Sequence, residues 1–168
     1  MPNKIKVLFV CLGNICRSPV ADGVFKALVD AESLQEYIEV DSAGTSGWHE
    51  GGMPDSRMMA TSKKHGVPLD HLRSRLFIEQ DLSRFDLILA MDKQNVRDIV
   101  KLDRDSRFAD KVRLFRSFDP EPGNLEVPDP YYGGAQGFED VYSMVERTST
   151  PLLKHVIQML PPSVQEGL

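Results

Sequence analysis

The stretch that decides the fold is "IKVLFV" (Ile5–Val10) followed by "CLGNICRS" (Cys11–Ser18), continuing into Pro19-Val20-Ala21-Asp22. An apolar run of this length, interrupted only by Lys6, suits a strand buried on both faces. From Ser18 to about Leu34, the residues Val20, Val24, Ala27, Leu28 and Ala31 recur at helical spacing. Ser18 is the expected N-cap, with Pro19 in the first turn. A loop that leaves a strand and enters a helix N-terminus can aim its N–H groups at one anion, and the helix dipole adds favourable potential. Gly13 and Asn14 tolerate the left-handed backbone that such a nest requires.

The rest of the chain repeats this alternation. Ile38–Val40, Leu87–Met91 and Val112–Phe115 are further short apolar runs, and Asp55–His65, Lys93–Val100 and Gln136–Leu160 are helix-like. Gly66 is a C-terminal cap for the first of these helices, and Pro161-Pro162 ends the last. Strands alternating with helices imply an α/β fold with a parallel sheet covered on both faces. Ligands bind such sheets beyond the C-terminal strand ends, which is where Cys11 falls.

Composition narrows the class. With 168 residues the chain suits one domain, 1–168, and 41% hydrophobic with 27% charged residues is ordinary for a soluble protein. The net charge of −5 argues against nucleic acid or an anionic membrane as partner. No apolar run approaches a bilayer span, and Met1-Pro2-Asn3-Lys4 leads into the first strand without a signal-peptide pattern. Two cysteines in such a chain fit a reducing cytoplasm.

Both cysteines lie in the loop, and this is its chemistry. The field at the helix start favours the thiolate of Cys11, the nucleophilic form. Arg17, six positions on, carries a planar fork that matches two phosphate oxygens. Ser18 can hydrogen-bond the sulfur as thiolate or as leaving group. Leu12, Gly13, Asn14, Ile15, Cys16, Arg17 and Ser18 together form a phosphoryl-transfer loop that calls for no metal or cofactor. The plainer reading, two small buried hydrophobes in a turn, leaves the position of the loop and of Arg17 unexplained. No Gly-Lys-Ser/Thr follows, so a nucleotide-binding phosphate loop is excluded. The spacing of the cysteines and of His49, His65, His71 and His155 does not suit zinc.

The leaving oxygen of a phosphate ester needs a proton, so the reaction wants a carboxylic acid facing the loop. Asp119-Pro120 and Asp129-Pro130 are both candidates, and either can simply start a turn. Trp48, Tyr131 and Tyr132 can wall a cleft deep enough for a phenyl ring, although partial burial alone would account for Trp48. Arg57, Arg73 and Arg75 are taken as surface charge, without a role.

"VLFVCLGNICRSP" resembles the signature of the low-molecular-weight protein tyrosine phosphatases. "DSAGTSGWHEG" (Asp41–Gly51), "DHLRSR" (Asp70–Arg75), "LILAMDKQN" (Leu87–Asn95) and "VPDPYYGG" (Val127–Gly134) resemble family segments in family order. The resemblance covers essentially the whole chain. It implies a three-layer sandwich with a central four-stranded parallel sheet in flavodoxin-like order. It also implies a cysteinyl-phosphate intermediate, with Cys11 as nucleophile, Arg17 on the phosphoryl group and Asp129 as general acid. Leu12 corresponds to an apolar floor residue, while Trp48, Tyr131 and Tyr132 correspond to the cleft. Asn14 corresponds to an asparagine that holds the loop, with Ser42 and His71 as its partners and Asp92 in the same network. Cys16 either fills space or captures oxidised Cys11 as a disulfide, and the resemblance favours the second.

The implied partners are a phosphotyrosine-bearing protein, for which bacterial relatives suggest a tyrosine kinase, and inorganic phosphate or other oxyanions as product-like ligands. The tyrosine pair suggests a monomer or a weak homodimer, or sites of phosphorylation. Three alternatives fit less well. A thiol-dependent arsenate reductase would need cysteines outside the loop. A protein-arginine phosphatase would carry a small hydroxyl residue where Leu12 stands. A binding adaptor would have lost Cys11, Arg17 or Asp129.

Overall fold

The apolar runs become the strands of one parallel sheet in a computed structural model that describes residues 4–168. The strands are β1 (Ile5–Cys11), β2 (Ile38–Gly44), β3 (Leu87–Ala90) and β4 (Val112–Leu114), in the order β2-β1-β3-β4. The helices are α1 (Arg17–Ala31), α2 (Ser56–Lys64), α3 (Glu79–Arg84), α4 (Lys93–Val100), α5 (Ala135–Gln158) and α6 (Pro162–Gln165).

The pleat of β1 assigns its side chains to two cores. Val7, Phe9 and Cys11 face a cluster with α1 and α5, where Phe9 packs edge-on against Phe25 and Phe115. Leu8 and Val10 face a smaller cluster with Leu82, Phe85 and Ile99, contributed by α3, α4 and their flanks. This is the expected three-layer sandwich. Cys11, the last residue of β1, lies opposite Gly44.

Three local expectations change, and one helix is added. Ser18 does not cap α1: the helix begins at Arg17, and the residue before it, Cys16, gives no side-chain cap. The Ser18 hydroxyl turns back into the loop, where it has stronger partners. α1 also stops at Ala31, short of Leu34, because Ser33 adopts a left-handed conformation with φ 59°. β2 continues to Gly44, since its parallel ladder with β1 carries the polar pair Asp41-Ser42 along. α3 has no apolar periodicity to announce it. Its sequence, EQDLSR, buries only Asp81 and Leu82.

Candidate active site

The loop Leu12–Cys16 joins β1 to α1, and the carbonyls of Cys11, Leu12, Gly13 and Ile15 are turned outward by donors from three neighbouring segments. Thr45 N–H donates to Cys11 O at 2.9 Å, Ser46 N–H to Leu12 O at 2.9 Å and Asp55 N–H to Ile15 O at 2.8 Å. The Ser74 hydroxyl donates to Gly13 O at 3.0 Å. Among the described residues, no protein group accepts from the N–H groups of Gly13 to Cys16. Outward carbonyls and free inward amides make an anion nest. Gly44 permits the close approach of the loop, because a Cβ there would lie 2.8 Å from Leu12 O.

Asn14 sits in the left-handed region with φ 55° and is buried. Its Nδ2 donates to Ser18 Oγ at 2.7 Å, and its Oδ1 accepts from Arg75 N–H at 3.0 Å. Ser18 Oγ lies 3.0 Å from Cys11 Sγ. With Asn14 supplying one donor to Ser18, the serine hydrogen can point at the sulfur or at Ala43 O, which lies farther off at 3.4 Å.

The expected partners of Asn14 are therefore corrected. Ser42 lies against Asp22 of α1 instead, since its place on β2 turns it to that face. His71 is exposed, four residues before Arg75, whose backbone does the holding. Asp92 joins a different group: its Oδ2 accepts from Arg17 Nη1 at 2.6 Å. The same nitrogen donates to Val127 O at 3.1 Å. Nε and Nη2 of Arg17 keep no hydrogen-bond partner among the described residues, leaving a two-donor edge free.

The two candidate acids occupy opposite settings. Asp119 is buried and accepts from Arg116 Nε at 2.9 Å, Arg147 Nε at 2.8 Å and Glu121 N–H at 2.8 Å. Burial opposes its charge, but these donors outweigh burial and hold the carboxyl well below the usual range. It cannot serve as a proton donor at neutral pH. Asp129 is partly open, accepts from Tyr131 N–H at 3.0 Å, and places Oδ2 3.8 Å from Arg17 Nη2.

Cys11, Leu12, Gly13, Ile15, Cys16, Arg17, Trp48, His49, Asp129, Tyr131 and Tyr132 line one cleft of about 140 Å³. Trp48 and Tyr132 stand at its mouth, 77% and 91% exposed, with Tyr131 deeper. Burial pushes the Cys16 thiol up, and the charges of Asp55, Cys11 and Asp129 add to this. Cys16 is thus held as the neutral thiol behind the loop. No group of three or more His, Cys, Asp or Glu among the described residues is placed to hold a metal.

Several participants were given no role from the sequence. Arg75, taken as surface charge, braces the loop through its backbone and ties β2 to α3, with Nε 3.1 Å from Asp41 and Nη1 2.9 Å from Asp81. His49 packs against Gly13 at the rim, and Ser46, Ser74 and Asp55 orient the loop. Their only signal is proximity, which a linear sequence does not carry.

A thiol at the floor of an amide nest, on a parallel α/β sheet, defines a class of cysteine-dependent phosphoryl-transfer proteins. Residues 6–160 match the family model of low molecular weight phosphotyrosine protein phosphatases, and the chain belongs to that family. It is 50% identical over 153 residues to a low molecular weight protein-tyrosine-phosphatase of Streptomyces coelicolor, covering 90% of this chain and 93% of the relative. A protein tyrosine phosphatase from Entamoeba histolytica, solved with Hepes in the active site, superposes with a TM-score of 0.88 at 38% identity, covering 92% of this chain and 98% of that one. A Drosophila arginine phosphatase superposes with a TM-score of 0.82 at 34% identity, covering 89% and 96%. The scaffold alone therefore does not separate tyrosine from arginine as the phosphate carrier.

Proposed function

We propose that the protein hydrolyses protein phosphotyrosine, and aryl phosphates generally, through a cysteinyl-phosphate intermediate. The observation that carries this is the convergence of Cys11, the free edge of Arg17 and Asp129 on one cleft walled by Trp48, Tyr131 and Tyr132.

Cys11 attacks phosphorus as the thiolate, with the Ser18 hydroxyl 3.0 Å from its sulfur. As the S–P bond forms, the P–O bond to the aryl group breaks and Asp129 gives its proton to the departing phenolate. Arg17 Nε and Nη2 and the amides of Gly13 to Cys16 hold the equatorial oxygens, so the developing charge is met without a metal. In the second step Asp129 takes a proton from water as its oxygen bonds to phosphorus. The S–P bond breaks, Cys11 returns to thiolate against the Ser18 hydroxyl, and inorganic phosphate leaves. Leu12, large and apolar beside the nucleophile, suits a phenyl ring better than a guanidinium. Fitting substrates include an autophosphorylated tyrosine kinase, and free oxyanions are product-like ligands. Two free thiols suit a reducing, cytoplasmic setting.

The test is phosphate release from matched phosphotyrosine, phosphoserine and phosphoarginine peptides, with chelator and reductant present. Preference for phosphotyrosine, abolished in Cys11→Ser, is expected. Preference for phosphoarginine would overturn the substrate, and turnover by Cys11→Ser would overturn the nucleophile.

A further inference from the structure

Arg57 stands at the start of α2, outside the cleft, and its guanidinium is gripped from one side and stacked upon from two others. Its Nε lies 3.1 Å from Asp55 Oδ1 and its Nη2 2.9 Å from Asp55 Oδ2, a two-point fork. Asp55 is itself fixed, since its carboxylate caps α2 at Arg57 N–H and its own N–H donates to Ile15 O in the phosphate loop. The guanidinium carbon lies 4.7 Å from the centroid of the Phe138 ring, a buried residue of α5, and 5.3 Å from that of Tyr131.

Tyr131 is the inner wall of the cleft, and its N–H holds the Asp129 carboxylate at 3.0 Å. Val127, before this segment, is tied to Met91 through its N–H and to Arg17 through its carbonyl. Beyond Val127 the segment approaches the phosphate loop directly where Asp129 Oδ2 lies 3.8 Å from Arg17 Nη2, and a second route runs through Tyr131, Arg57 and Asp55. A cation on an aromatic face is attractive and directional. A fork to a carboxylate fixes the plane of the guanidinium.

We propose that Arg57 is a positioning residue: held by Asp55, it is the platform on which Tyr131 rests, and through Tyr131 it sets the cleft wall and the place of Asp129 above the phosphate loop. This rests on the reading of Asp129 as general acid. The platform takes its position from Ile15 by way of Asp55, so the acid and the phosphate cradle share one reference point.

The experiment compares kcat/KM for phenyl phosphate, a poor leaving group, with that for 4-nitrophenyl phosphate, a good one. The variants are Arg57→Met, Arg57→Lys, Tyr131→Leu, Asp129→Ala and the double variant of Arg57→Met with Tyr131→Leu. Arg57→Met is expected to lose about tenfold on phenyl phosphate and about threefold on 4-nitrophenyl phosphate, mostly in KM for the second. Arg57→Lys, which keeps a cation but not the fork, is expected to fall between. It also serves if Arg57→Met lowers Tm by more than a few degrees. In the Tyr131→Leu background Arg57→Met should cost nothing further.

Equal losses on both substrates in Arg57→Met, beside a selective loss in Asp129→Ala, would overturn the proposal. So would additive effects of Arg57→Met and Tyr131→Leu. Equal losses in Asp129→Ala would instead remove the acid assignment and the part of the proposal that concerns Asp129, while the Tyr131 cycle would still decide the wall.

Discussion

Asp92 grips Arg17 from the side away from the cleft, at 2.6 Å between Oδ2 and Nη1, and so decides which edge of the guanidinium is left for substrate. Burial on its own would weaken the charge of Arg17. The thiolate of Cys11 and the carboxylates of Asp92 and Asp129 more than compensate. The same Asp92 caps α4 through Asn95 N–H at 2.8 Å. Asp92→Asn keeps a cap-forming residue and loses the charged bond. We expect KM for aryl phosphates and the inhibition constant of inorganic phosphate to rise about tenfold together, with little change in Tm. Unchanged phosphate inhibition in this variant would show that Arg17 needs no anchor. Asp92→Ala should add a stability loss of about 1 kcal/mol from the missing cap.

Asp119 makes the opposite kind of contribution, to stability and to the base of the segment that carries Asp129. Its carboxylate is held between Arg116 and Arg147, and Arg116 reaches on to Glu126 O at 2.7 Å. Its folded-state pKa is lowered, so the stability it contributes is present above the usual carboxylate range, near pH 4. That stability is lost as pH falls further, toward the folded value. Asp119→Asn should cost about 3 kcal/mol at pH 7, because two buried or half-buried arginines lose their counter-charge. Its denaturant midpoint should also vary less below pH 4 than that of the unmodified protein. A midpoint at pH 7 equal to that of the parent would count against the ion cluster as a stabilising element.

Both behaviours bear on what a linear sequence discloses. Cys11, Arg17 and Asp129 stand out there as candidates because phosphoryl transfer demands those residue types, two of them at fixed spacing beside a strand end, and the fold brings all three to one cleft. The sheet could be read because β1 and β3 are near-continuous apolar runs, while the pairs Ile38/Val40 and Val112/Leu114 mark β2 and β4. The brace on Asn14 could not, since Arg75 supplies a backbone N–H and any residue at that position would carry the same donor. Nor could the loss of the Ser18 cap: a serine at a helix start looks like a cap until a buried thiol and an amide compete for its hydroxyl. Asp119 and Asp129 look alike as Asp-Pro pairs, and only Arg116 and Arg147, brought in by the fold, separate them.

Asp22 offers a titration outside the reaction. It is buried in α1, and burial raises its carboxyl to about 7, with Asp41 adding to the rise and Ser42 and Lys26 opposing it. The folded state then keeps a proton that the unfolded chain has released. Stability contributed by this group is complete below about pH 4 and declines as pH rises to about 7. Asp22→Asn should abolish that decline, making the variant more stable than the parent at pH 8 by on the order of 2 kcal/mol. Urea unfolding at pH 5 and pH 8 measures both slopes, and parallel slopes for the two proteins would rule out a raised Asp22.

Cys16 lies in the same loop as Cys11 and both are free thiols. Burial keeps Cys16 protonated, so at rest it does not compete with Cys11 as a nucleophile. Peroxide converts the Cys11 thiolate to a sulfenic acid. The Cys16 sulfur can then attack the Cys11 sulfur, forming the S–S bond as water leaves with the thiol proton. A dithiol reductant reverses this, whereas further oxidation of an unprotected sulfenic acid to sulfinic acid is irreversible. Cys16→Ser should therefore keep turnover within about twofold of the parent, since a serine of similar size replaces a side chain without a chemical step. After a peroxide pulse and dithiothreitol, the parent should regain most of its activity and Cys16→Ser little of it. Intact-mass measurement before reduction should show a loss of two hydrogens in the parent, and added oxygen on Cys11 in the variant. Equal recovery of the two proteins would leave Cys16 with a packing role only.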